Sequence, residues 1–431
     1  VTWTNWAGNQ HADPHTVARP TSTAELAEVV CAAAAAGERV KPVGSGHSFT
    51  GIALTDGVQV DLGLLTGLVS ADPSSGLVTV RAGTTLRRLN TVLAQLGLAM
   101  TNLGDVDAQT LAGALSTGTH GTGCRFGGLA TQVRALELVL ADGSVVTASP
   151  TENPELFSAA RVGLGALGVL STVTLQTEPT YTLHAREEPM PLREVLDNLP
   201  ELVRDNDHFE LYWFPHTTAT LTKRNNRLPA DAVPQPLPRG RALLEDEVLS
   251  NGLFQLTCRL GRSRPRLVPR INRVASRVLG AREYSDVSHR VLVSPRRVRF
   301  VEMEYAVPTA AVGEALAGIE RVIAEHHLRV SFPVEVRFAA ADDVPLSTAS
   351  GRDSAYLAVH VFRGEPFERY FRAVEAVMDR LHGRPHWGKM HYQDAATLRQ
   401  RYPRFDEFTA VRAAVDPERR FGNDYLERVL G

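Results

Sequence analysis

Cysteine is scarce in this chain. Cys31, Cys124 and Cys258 are the three present, odd in number and far apart, which argues against a disulfide framework and for a reducing, cytoplasmic setting. A dominant charge is missing as well. The formal net charge is -2, so no global field draws the chain to nucleic acid or an anionic bilayer. The apolar run near 29–36 is too short to span a membrane and sits inside a helical pattern. No charged-then-apolar leader precedes Trp3, so no secretory signal is expected. Internal repeats are absent. What is there, 43% hydrophobic and 22% charged residues, is a soluble globular composition. A length of 431 residues exceeds one ordinary core and predicts two domains.

The first part reads as α+β with many short strands. Ser22 and Glu25 form a capping box before an alanine-rich helix that stops at Gly37. A strand from Arg39 to Val43 follows, then strands near 58–62 and 77–80 and a helix from Thr85 to Leu96 closed by Gly97. Asp142-Gly143 predicts a two-residue hairpin turn between strands 135–140 and 145–147. After about Glu178 alternation becomes plainer, as in 209–214 and 298–307. The proline-rich stretch 228–241 reads as an exposed connection. The arginine-dense stretch 259–299 lacks interleaved aromatics and reads as a solvated helical face rather than a nucleic-acid patch.

Two runs of small residues carry chemistry. Val43-Gly44-Ser45-Gly46-His47-Ser48-Phe49 joins a strand to a loop in which backbone N–H groups can approach a phosphate, with an imidazole beside it. A second run extends from Gly113 and Ala114 through Ser116, Thr117, Gly118, Thr119, His120 and Gly121 to Gly123. Few cores need so many hydroxyls and glycines together, whereas a loop wrapping a large polar ligand does. Gly163 to Gly168 matches GxGxxG, but a helix precedes it and a strand follows, the reverse of the dinucleotide fingerprint. A Rossmann site is therefore rejected, and backbone contact with a cofactor bound elsewhere explains these glycines better.

Two cradles and a histidine suggest an extended dinucleotide. Together with Asn5-Trp6, VGSGHSF (43–49), STGTHGTG (116–123), GALGV (165–169), VEVRF (334–338), HWGK (386–389) and FGNDY (421–425), they resemble the vanillyl-alcohol oxidase superfamily with a PCMH-type FAD-binding domain, in its sugar-1,4-lactone and alditol oxidase branch. The resemblance covers nearly the whole chain. It implies an FAD-binding domain over 1–177 to which 408–431 returns, and a substrate-binding cap domain over 178–407 built on an antiparallel sheet covered by helices. It implies FAD held by Val43, Gly44, Ser45, Gly46, Ser48, Phe49, Gly104, Asp105, Gly113, Ala114, Thr117, Gly118, Thr119, His120, Gly121, Gly168 and Val169. His47 would carry the flavin covalently through its 8α-methyl group.

The substrate side has its own pattern. Val330, Phe332, Val334, Val336 and Phe338 alternate onto an apolar face, so Glu335 and Arg337 share the other face. A surface ion pair is the commoner meaning of such a pair, but this strand is apolar and short of lysines. Tyr356, Ala358, His360 and Phe362 share a face of the next strand, where His360 alone would read as a core histidine. A zinc reading of His382, His386 and His391 is weak, because no cysteine or carboxylate recurs at ligand spacing.

The resemblance places Glu335, Arg337 and Lys389 in the substrate pocket with His360 near them. Arg337 and Lys389 would orient and acidify the reacting hydroxyl, Glu335 would fix Arg337 and accept a substrate hydroxyl bond, and His360 would be a secondary proton relay. Gly104 resembles the small residue of oxidases that admit oxygen. Asp105, where alditol oxidases carry serine, together with His360 leans toward gulono- and arabinono-lactone enzymes. The expected activity is oxidation of a lactone CH–OH, with O2 (giving H2O2) or an electron carrier as acceptor. Alternatives are an alditol, polyol or nucleoside oxidase, and a catalytically silent carbohydrate-binding protein on the same fold.

Overall fold

The computed structural model describes residues 2–238, 254–278, 280–294 and 298–431. Near the N-terminus, Ser22 Oγ accepts from the Glu25 N–H at 3.2 Å and opens the helix Thr23–Ala35. The Glu25 carboxylate reaches the Thr21 N–H at 2.8 Å, one residue upstream of a true capping box. Parallel strands Thr16–Ala18, Val58–Asp61 and Val40–Val43 form one small sheet. A five-stranded antiparallel sheet, ordered Val145–Ala148, Val133–Val139, Val169–Gln176, Leu77–Arg81 and Leu68–Asp72, forms the second.

The turn between 139 and 145 corrects the expected two-residue hairpin. Leu140 pairs with Ser144, and of the Asp142-Gly143 couple only Gly143 has positive φ (82°). Asp142 instead accepts from the Ser144 N–H at 2.9 Å, a three-residue loop with its left-handed residue last. The glycine-rich 163–168 segment does lie between the helix Pro154–Ala160 and the strand 169–176, the order that excludes the dinucleotide fingerprint.

The second domain is built on an eight-stranded antiparallel sheet. Its order is Arg282–Val287, Thr182–Pro191, Ala219–Arg227, His208–Trp213, Val334–Ala339, Ser354–Phe362, Phe300–Pro308 and Arg384–Pro385. One face packs Phe209, Leu211, Met303, Tyr305, Val336, Phe338, Leu357 and Val359 against the helices Val312–Glu325 and Glu368–Arg380. Strand period two then sends His208, Glu210, Tyr212, Glu302, Glu304, Glu335, Arg337, Tyr356 and His360 to the other face. That face is covered by the first domain, and Gly123 N–H bonds Phe338 O at 2.8 Å across the join.

Over 259–277 the arginine-dense stretch is a solvated helical face, with Arg259, Arg262, Arg264, Arg266, Arg270, Arg273 and Arg277 all exposed. The helical expectation fails at Arg282–Val287, an edge strand of the sheet in which Arg282 pairs with Glu187 at 2.8 Å. Residues 229–238 are likewise largely exposed, while the expectations for 239–241, 279 and 295–297 fall outside the described residues.

The return of the chain to the first domain begins earlier than 408. Leu398, Tyr402 and Phe405 already belong to the first domain's core, with Phe408, Phe421, Leu426 and Val429 following. Asn423 pins this return. Its amide sits 2.9, 3.2 and 2.9 Å from the carbonyls of Gly51, Ile52 and Leu54, and its Oδ1 caps the helix Asp424–Leu430 through the Leu426 N–H at 3.0 Å. Asn423→Ala loses a cap and strands buried carbonyls, so stability should fall by about 2 kcal/mol. The check is a lower urea midpoint at unchanged denaturant slope.

Candidate active site

Sequence dictates a close approach at the 43–49 loop. A Cβ on Gly44 would stand 2.1 Å from Thr110 Oγ1, and Gly46 has φ +67°, so only glycine lets this loop lie against the second cradle. Ser45 donates its hydroxyl to Ala108 O at 2.6 Å. Phe49 N–H bonds Gly388 O at 2.7 Å, which ties the loop to the segment that carries Lys389.

Two cavities result, and they adjoin. Val43 to Ser48, Gly113, Thr117, Gly165 and Gly168 line the first. His47, Ser48, Phe49, Gly104, Asp105, Thr117, Thr119, His120, Glu302, Glu304, Arg337, His386 and Lys389 line the second. His47, Ser48, Gln109 and Thr117 belong to both. The small residues therefore line two adjoining cavities, an extended site of the kind a dinucleotide needs. Ala114, Gly118, Gly121 and Val169 lie in the same segments but not on their walls. Gly121 is packed where a Cβ would meet Leu103 O at 2.3 Å.

His47 stacks on Trp6, ring centroids 5.5 Å apart. Burial, then the nearby Lys389 charge, push its pKa down to about 4, so its imidazole is neutral at pH 7. Lys389 Nζ binds Glu302 and lies 5.4 Å over the Phe49 ring. Burial works against its charge, but Glu302 and Glu304 outweigh burial and hold the ammonium above its ordinary pKa. Arg337 contacts Glu335, donates Nε–H to Glu210 at 2.9 Å and lies 3.3 Å from Asp105. Tyr212 donates to Glu335 at 3.0 Å.

Glu335 and Arg337 are thus neighbours, and both are buried rather than a surface pair. Arg337 faces the cavity, while Glu335 stands behind it. His360 also stands behind the wall, 3.5 Å from Glu302 and stacked on Phe332. The three histidines of the zinc reading diverge: His382 bonds Arg401, His391 bonds Tyr425 and His386 faces the cavity.

Glu210, Glu302, Glu304 and His386 are site residues that the sequence reading missed. A signal existed in Phe300–Pro308, where Glu302 and Glu304 alternate with Val301, Met303 and Tyr305, the same pattern that exposed Glu335 and Arg337.

Comparison with known proteins shows the family. Residues 14–149 match the FAD binding domain family and residues 173–429 match the D-arabinono-1,4-lactone oxidase family. The chain is 48% identical over 429 residues to the L-gulono-1,4-lactone dehydrogenase of Mycobacterium tuberculosis, covering 100% of this chain and 99% of that protein. It is 36% identical over 440 residues to the L-gulonolactone oxidase of Mus musculus, covering 100% and 98%. A crystal structure of cholesterol oxidase from B. sterolicum superposes with TM-score 0.83 at 18% identity, covering 100% of this chain and 96% of that one, which shows the shared fold. Fold and family together define an FAD-dependent oxidoreductase. More narrowly, the chain belongs to the D-arabinono-1,4-lactone oxidase family.

The Arg337 cluster sets a pH-dependent stability. Burial pushes the Glu210 carboxyl up, but Arg337 and Lys223 outweigh burial and hold it below its ordinary value. Such a group stabilises the fold above its unfolded pKa, and that stabilisation fades as pH falls through the folded pKa. Arg337→Met leaves these carboxylates buried without their cation and should cost about 3–5 kcal/mol at neutral pH. The gap to the parent should narrow below about pH 4.5, where carboxylates protonate. Paired urea titrations at the two pH values check this.

Proposed function

We propose that the enzyme oxidises a ring CH–OH next to the carbonyl of an aldonolactone such as L-gulono-1,4-lactone, with its FAD bonded to His47. One observation carries the reading: a wall of two held cations, Arg337 and Lys389, faces the cavity that adjoins the glycine-lined one. The cavities fit FAD, since small residues line both and the two share His47, Ser48 and Thr117. Bound there, FAD supplies the two-electron acceptor.

The remaining chemistry belongs to the chain. Arg337 and Lys389 hydrogen-bond the lactone hydroxyls and lower the effective pKa of the reacting one, and buried charges of this kind need no reorganisation during reaction. Glu335 orients Arg337 from behind, and His360 supports Glu302 in the same way. The names of the two gulonolactone relatives support the substrate class. A neutral His47 has the lone pair that bonding to the 8α carbon requires, which supports attachment. Gly104 leaves the cavity wall without a side chain, which supports O2 as acceptor and H2O2 as product. Three unpaired cysteines support a reducing, cytoplasmic setting, and among the described residues no helix is long and apolar enough to cross a membrane.

Anaerobic mixing tests the reaction. L-Gulono-1,4-lactone should bleach the visible flavin absorbance at least about 10-fold faster than alditols or nucleosides, and air should restore it with peroxide release. Faster bleaching by a polyol contradicts the substrate, and recovery only with an added electron carrier contradicts O2. Lys389→Met should slow bleaching by about 100-fold.

Attachment is tested separately. Acid-precipitated protein should stay yellow, and His47→Ala should release its flavin to the supernatant. A colourless parental precipitate beside a yellow supernatant contradicts the bond.

A further inference from the structure

Strand alternation brings a second carboxylate, Glu304, to the cavity wall beside Glu302, and its surroundings fix where a proton sits. His120 Nδ1 lies 2.9 Å from the carbonyl oxygen of Gly121, and its Nε2 lies 2.7 Å from Glu304 Oε1. A carbonyl oxygen only accepts, so Nδ1 carries a hydrogen. The Nε2 contact then requires another proton between imidazole and carboxylate. His120 and Glu304 therefore form a neutral pair holding two protons. Their side chains are only 4% and 8% exposed, and the Tyr356 ring stacks on His120 at 3.5 Å.

The neighbours narrow the roles. Lys389 and His360 engage both oxygens of Glu302. Glu304 lines the cavity, and its carboxylate has His120 as its single hydrogen-bond partner among the described residues. His386 accepts the Gly388 N–H on Nδ1 at 3.1 Å, so its Nε2 bears the hydrogen and only donates. That also removes the Nε2 lone pair which a metal ion would need, although the three groups lie within 4.8 Å of one another. Burial pushes the Glu304 carboxyl up, and His120, His386 and Lys389 outweigh burial, leaving it below its ordinary value.

We propose that Glu304, positioned by His120, takes up the hydroxyl proton that the substrate releases. This rests on the alcohol oxidation proposed above. As CH–OH becomes C=O, the carbinol hydrogen leaves with its electron pair to FAD, the O–H bond breaks, and that proton goes to the Glu304 carboxylate. The proton already shared stays on His120 as imidazolium. The pair gains one positive charge, matching the negative charge passed to the cofactor. Glu302 on the same strand, Lys389 and His386 from the adjoining loop and Tyr356 from the neighbouring strand are the groups that face the pair.

Two readouts test this on the FAD-loaded enzyme. The first is the pair of His120 ring-nitrogen chemical shifts near neutral pH, assigned with His120→Gln. Both nitrogens should be protonated in the parent, and Glu304→Gln should return His120 to the neutral form. A neutral His120 in the parent overturns the proposal whatever the substrate is.

The second is the anaerobic bleaching rate with lactone across pH. Glu304→Gln should be about 100-fold slower and lose the acid limb of the parental profile, with flavin spectrum and urea midpoint retained. Glu304→Asp should recover part of the rate. Parental rate and profile in Glu304→Gln overturn the proposal while leaving lactone oxidation intact. If no lactone bleaches the parent, the substrate reading fails and the nitrogen shifts still decide the pair.

Discussion

Burying charge on the second face of the eight-stranded sheet is the constraint on which this molecule depends. An antiparallel sheet commonly keeps one face wet; here the strands His208–Trp213, Phe300–Pro308, Val334–Ala339 and Ser354–Phe362 are buried on both faces almost throughout, one beneath helices and one beneath the FAD-binding domain. Charges taken out of water are costly unless each meets a partner of opposite sign. The sheet meets that condition by register. Glu302 lies directly across from His360, and Tyr212 across from Glu335, while Lys389, His120 and Asp105 arrive from loops of the other domain or its edge. The same pairing that makes burial tolerable leaves Arg337 and Lys389 charged at a cavity wall.

The loops that deliver those partners also line the cavities. Glycine at 44 allows the first cradle to touch Thr110, and the Phe49–Gly388 hydrogen bond locks that cradle to the lysine loop. The glycine-lined cavity and the cationic wall are consequently one structural unit. A change in either should be felt in the other, because His47 and Lys389 share a field as well as a backbone connection.

Much of this was legible from residues alone. Cradles announce themselves by the density of small and hydroxyl residues, and Glu335 with Arg337 by period-two alternation in an apolar strand. The carboxylates Glu302 and Glu304 followed the same period but were missed, because their partners Lys389 and His120 lie 87 and 184 residues away. Nothing local distinguishes such a strand from one with a solvated face. The domain boundary near 408 was set too late for a related reason: Leu398, Tyr402 and Phe405 are apolar in either domain, and only tertiary packing assigns them to the first core. At Asp142-Gly143 the hairpin was legible but its length was not, since an aspartate that bonds Ser144 keeps negative φ.

The most direct measurement of the central claim is a crystal structure of the enzyme soaked anaerobically with L-gulono-1,4-lactone. The account predicts the isoalloxazine bonded to His47 and the lactone hydroxyls within hydrogen-bond distance of Arg337 and Lys389. A lactone bound away from those two cations, or a flavin outside the adjoining cavities, would contradict it.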